Sequence, residues 1–273
     1  MTYVAACWGL GYAAVWLAVA AYGWHSIQQH SARDRSEIRP TAGALLWTGH
    51  LLSAVSAVLV WFALWMRAQR GHGWPIVSSA DAAGVVALLL LVIHTLWAFL
   101  SAEYRGGILV MLTVLLLESY TLGQFPDSLV ALPLTNKASL ASEALNLCGA
   151  SLLGLAAAAS VTHALQQCFS QSEPSVGSVE EEASEVLVRI ALLCLAASLA
   201  IDTWWLQRVG FGGSNDAQQA GIAIAWMIYF VALRLRNSAR WRGWPWASVL
   251  AVGFLCTLPI LLDVPWLEAR LPV

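Results

Sequence analysis

Long stretches of this chain contain nothing that water would hold in place. Residues 82–101 run without a single Asp, Glu, Lys or Arg, and comparable apolar blocks recur from one end of the sequence to the other. A run of roughly 18 or more apolar residues matches the hydrocarbon thickness of a bilayer when it forms a helix. The blocks are continuous and do not alternate, which disfavours half-buried strands. The sequence therefore predicts an all-α, polytopic membrane helix bundle of about eight transmembrane helices, over residues 3–24, 42–65, 80–101, 106–122, 144–166, 186–207, 217–233 and 246–267. The first block lacks a basic leader segment, so it reads as a retained span.

Composition agrees with lipid as the solvent. Of 273 residues 59% are hydrophobic and only 11% charged, where a soluble domain carries about 25% charge. A net charge of −2, with no basic patch, gives no reason to expect nucleic acid as a partner. Membrane lipid is the expected surrounding. Cys7, Cys148, Cys168, Cys194 and Cys256 form no C-x-x-C or C-x-x-C-H pattern, so no thiol redox motif, zinc site or covalently attached haem is expected. They read as small buried apolar residues.

Orientation comes from the arginines. One set of loops carries Arg33, Arg35, Arg39, Arg105, Arg234, Arg236, Arg240 and Arg242, and the opposite set is poorer. The positive-inside rule puts the first set in the cytoplasm and both termini outside, in a plasma or inner membrane. The acidic, Ser-rich segment 170–185 reads as a solvated cytoplasmic linker between residues 1–169, holding five spans, and 186–273, holding three. The tryptophans near span ends, among them Trp61, Trp65, Trp204, Trp244 and Trp246, suit the aromatic belt at the headgroups. Trp204-Trp205 is the pair that reads as an aromatic platform for a flat ligand.

Ionisable residues inside spans are costly and mark function by default. His50 and His94 lie at equal depth, roughly 12 Å in from the same side at 1.5 Å per residue, as two axial ligands of a haem iron require. The alternative is separate, hydrogen-bonded histidines. His163 sits nearer the cytoplasmic edge. Glu118, Asp202, Asp216 and Asp263 fall toward the outer ends of spans, where hydration or helix capping accounts for them; a metal or proton site is the alternative, with no compact ligand spacing behind it. His25, His30 and His72 read as loop residues. No nucleophile constellation, phosphate-binding glycine loop or H-E-x-x-H occurs, so no catalytic site is expected.

Four short elements recur in order in the last third. Asp216 is followed by Trp226-Met227-Ile228-Tyr229, then Trp241-Arg242-Gly243, then Gly253-Phe254; earlier, Gly71-His72-Gly73-Trp74-Pro75 leads into the span that contains Asp81. In this order and spacing the chain resembles the integral membrane cytochrome c assembly proteins of the CcsA type, which carry a tryptophan-rich outer loop ending W-D-P-K-E-T-W, a span with W-x-I-Y, a basic W-R-G loop and a last span with G-F. The resemblance covers residues 71–254 in outline and 216–254 most closely. It implies haem binding or haem delivery across the membrane, haem as cofactor, and other cytochrome c assembly subunits or apocytochrome c as partners. It places Asp216, with Trp204 and Trp205, beside a haem-facing outer loop at 208–216. The family's outer haem ligands are histidines, and this chain has none between His94 and His163 or after His163. Haem is then expected on His50 and His94. The alternative is a haem-free scaffold or accessory subunit of a larger membrane complex.

Overall fold

A computed structural model describes residues 2–32, 40–70, 79–100, 107–123, 137–170, 179–209, 216–236, 238 and 241–261. Within them the chain forms eight helices: α1 (Thr2–Ala32), α2 (Pro40–Arg70), α3 (Ser79–Leu100), α4 (Gly107–Gly123), α5 (Lys137–Ser170), α6 (Val179–Val209), α7 (Asp216–Leu235) and α8 (Trp244–Leu261). Five are long and apolar enough to cross a membrane: Tyr3–Gln28, Gly43–Gln69, Ala80–Leu100, Ala141–Cys168 and Glu181–Trp204. Gly107–Gly123, Gln219–Leu235 and Trp244–Ile260 are shorter apolar helices. At 1.5 Å per residue the 17 residues of α4 reach roughly 26 Å, just under the ~30 Å of a hydrocarbon core. The chain is an all-α, multi-pass membrane helical protein.

The helices sort into two compact units, one built from residues 1–76 and 83–130, the other from 77–82 and 131–273. In the first, α1 packs along α2 and also against α4. Trp8 of α1 is fully buried, and a Cβ on Gly84 of α3 would stand 2.7 Å from its ring. In the second, α5 packs on α6 and α8, and α7 on both α6 and α8. The middle of α5, from Gly149 to Ser160, is buried throughout; its alanine run, 156–159, lets neighbouring backbones approach closely. The fifth helix thus belongs with the last three, and not with the first four as the expected division at 170–185 implied.

Several local expectations change. Helix α1 continues to Ala32, so His25 is helical and only 9% exposed, not a loop residue. Helix α6 begins at Val179, which converts the second half of the expected acidic linker into helix and buries Glu181. A buried Arg236 accounts for that, as described below. Trp246 leaves the expected belt as well: it is 1% exposed and its indole N–H donates to Ser184 Oγ at 3.0 Å. Trp61, Trp65, Trp204 and Trp244 do face outward. The thiols differ in place: Cys168 and Cys256 are exposed and Cys7, Cys148 and Cys194 half-buried, where apolar burial was expected for all five. Residues 171–178 and 262–267, with His72, Trp74, Asp263 and Trp266, lie outside the described residues.

Candidate functional site

The first unit holds a buried polar cluster built on one face of α2. His50, Ser53 and Ser56 recur at intervals of three and so line one side of the helix; all three are buried. Tyr22 of α1 reaches into this face. Its hydroxyl lies 2.7 Å from His50 Nδ1 and 3.0 Å from His94 Nε2 of α3, with Ser53 Oγ at 3.4 Å. Ser53 in turn donates to the Gly49 carbonyl at 2.9 Å. A phenol has one proton. Tyr22 donates to one partner and accepts from the others, so the tautomers of the two rings set the direction of each bond. Three helices are tied together by one oxygen.

The clamp is tight because two glycines make room for it. A Cβ on Gly49 of α2 would come within 2.7 Å of the Tyr22 ring, and one on Gly107 of α4 within 3.0 Å. His25 follows Tyr22 by three residues on α1 and is also buried. Outward of the cluster, Trp47, His50 and Phe99 form a second aromatic group, with Trp47 and Phe99 rings 5.6 Å apart and both half exposed.

His50 and His94 therefore come together, with ring centroids 6.0 Å apart. Whether they fit a haem is a separate question. Iron held by both would have to stand between their nitrogens, with the porphyrin spread across that line. The Tyr22 hydroxyl stands there, its ring wedged against Gly49 and Gly107. His50 also turns Nδ1 inward, the nitrogen flanked by its own Cβ substituent, which a porphyrin face would strike. In this packing the residues do not fit a bis-histidine haem.

The remaining expected site residues belong to the second unit. Trp204 sits near the end of α6 and is 50% exposed. Trp205 is its neighbour in the same helix. Asp216 is the first residue of α7; its side chain and that of Trp205 lie outside the described residues. Among the described residues no group of three or more His, Cys, Asp or Glu is arranged to hold a metal ion.

The second unit has a polar cluster of another kind. Arg236, just past α7 and 8% exposed, pairs with Glu185 of α6, donates to the Glu181 carbonyl at 3.0 Å and lies 3.7 Å from the Glu181 carboxylate. Its guanidinium sits 5.1 Å over the Trp246 ring. Burial pulls the Arg236 guanidinium below its ordinary range, and the Glu181 charge pushes back. His163 of α5 lies 3.9 Å from Glu181 and 2.8 Å from Gln167. Arg189 also pairs with Glu185.

Trp226, Tyr229, Gly243 and Gly253, which carry part of the resemblance, lie in this unit. A Cβ on Gly253 of α8 would lie 2.8 Å from the Tyr229 hydroxyl of α7. Trp226 donates its indole N–H to the Leu192 carbonyl of α6 at 3.1 Å. Gly243 takes φ of 69° in the turn before α8, a conformation that favours glycine. Tyr22 and Ser53, which sequence reading missed, carried one signal each: a polar group inside an apolar run. No protein-family model, characterised protein or solved structure matches the chain.

Proposed function

We propose that this chain is a non-catalytic membrane component of the cytochrome c assembly type, acting as a haem-free accessory subunit or scaffold within a larger membrane complex. The supporting observation is how the resembling residues are used. Trp226, Tyr229, Gly243 and Gly253 spend themselves on packing α6, α7 and α8, while His50 and His94 are closed on Tyr22. In this chain the residues that carry the resemblance serve helix packing, and the outer-face histidines that the resemblance leads one to expect are absent from the sequence. The arginine-rich loops favour a cytoplasmic placement for the end of α7, with both termini outside in a plasma or inner membrane.

Purification in mild detergent tests this role. The expected result is a stable complex with other membrane chains at fixed stoichiometry. A chain that purifies alone, or that meets an apocytochrome only transiently while carrying haem, contradicts it.

A second reading, haem carriage on His50 and His94, has one observation in its favour: two buried imidazoles from different helices stand with ring centroids 6.0 Å apart. It requires Tyr22 to leave. Haem titration of wild type and Tyr22→Ala separates the readings, because on this second reading wild type itself binds haem at one equivalent.

A further inference from the structure

Glu118 is the one acidic residue of α4. The buried positions of that helix include Gly107, Met111, Val114, Glu118 and Thr121, spaced by four, three, four and three, which is a single stripe facing inward. Leu112 and Leu116, off that stripe, are exposed. Glu118 thus points into the unit and not to the surface where hydration would account for it. It is 0% exposed, and neither carboxyl oxygen has a hydrogen-bond partner among the described residues. It lies five residues from the end of α4, roughly 7.5 Å in. A carboxyl placed this way within an apolar helix is expensive and needs a reason.

The neighbours define what it can do. Ser56 of α2 lies beside the carboxyl, but its one O–H is committed to the Gly11 carbonyl of α1 at 3.1 Å. Ser56 Oγ is therefore left as an acceptor. A carboxylic acid O–H has an acceptor there while Ser56 holds the Gly11 carbonyl; a carboxylate gains a donor only when the Ser56 O–H turns to it. Tyr12 of α1 is the titratable group facing Glu118, and its hydroxyl pairs with Ser119 Oγ at 3.1 Å. No Lys, Arg or His among the described residues pairs with Glu118.

We propose that Glu118 is a proton-binding site, a carboxyl that takes up and releases a proton while enclosed by α1, α2 and α4. Loss of the proton forces Ser56 to turn its O–H from the Gly11 carbonyl to the carboxylate. The proton is thereby coupled to the α1–α2 contact. The site does not rest on the accessory role, and it meets the polar face of α2 through Ser56.

The test is labelling of the full chain in detergent with N,N′-dicyclohexylcarbodiimide, read by peptide mass mapping across pH. The acid O–H adds across the carbodiimide, its proton going to nitrogen and its oxygen to the central carbon, and acyl migration leaves a stable N-acylurea. Labelling at Glu118 is expected to fall about tenfold per pH unit above the site's midpoint. Glu118→Gln should be unlabelled, and Ser56→Ala should keep the label with a displaced midpoint. Labelling that is independent of pH overturns the proposal, as does absence of label at every pH when the same peptide labels in denatured protein. Suppression by Na⁺ at constant pH also overturns it, in favour of a cation site. The wild-type pH profile decides the matter even where a variant fails to fold.

Discussion

The two units bury polar side chains in opposite ways. The second unit buries full charges, but beside a helix end: Arg236 follows α7 directly, and Glu181 and Glu185 sit in the first two turns of α6. Each charge has an opposite charge within reach. The first unit places its polar groups inside the spans and closes them with hydrogen bonds between Tyr22, His50 and His94. Where the helices reach the membrane edge, ion pairs tie them together; within the spans, one hydroxyl shared between two imidazoles does the same. Glu118 fits neither pattern, which is why it stands out.

The contrast breaks most severely at Arg236. Arg236→Met removes the guanidinium that faces Glu181 and Glu185, although Glu185 keeps Arg189, and removing one partner of a buried pair costs about 3–5 kcal/mol. The lower end applies, because Glu185 is 28% exposed. Thermal unfolding in detergent should show the loss, and limited proteolysis should open α6–α8 before α1–α4. Gly49→Val comes next. Its Cβ would start 2.7 Å from the Tyr22 ring, and overpacking of this kind costs about 1–3 kcal/mol. Here the order of proteolysis should reverse, with the first unit opening first.

Tyr22→Phe keeps the ring and removes only the shared oxygen. Loss of those hydrogen bonds should cost about 1–2 kcal/mol, visible as a lower melting temperature without a change in oligomeric state. An unchanged melting temperature would mean that the bonds contribute nothing to holding α1, α2 and α3 together. The smallest perturbation is a cross-link. Cys148 of α5 and Cys194 of α6 are neighbouring, half-buried free thiols, so a membrane-permeant oxidant should join them and leave stability nearly unaltered. Failure to cross-link would contradict the packing of α5 on α6.

Sequence alone recovers the eight helices, five of them long and apolar enough to cross a membrane, because apolar length is a local property that bilayer thickness reads directly. Counting puts His50 and His94 at equal depth on two helices, but that their rings meet at Tyr22 depends on the packing. Sequence misses Tyr22, because a tyrosine near the end of an apolar run looks like an interfacial anchor until the facing glycines are known. Glu118 fails for the same reason: depth follows from counting, whereas the face it occupies depends on which helices pack against α4. Glu181 is misread with its acidic neighbours, because its partner Arg236 lies 55 residues away and only the fold brings them together.

The most direct test of the account is the absorption spectrum, with pyridine haemochrome, of the chain purified from haem-replete cells. The account predicts no stoichiometric Soret band in wild type, because Tyr22 holds His50 and His94 closed. A one-to-one haem complex whose band disappears in His50→Ala and in His94→Ala would contradict it.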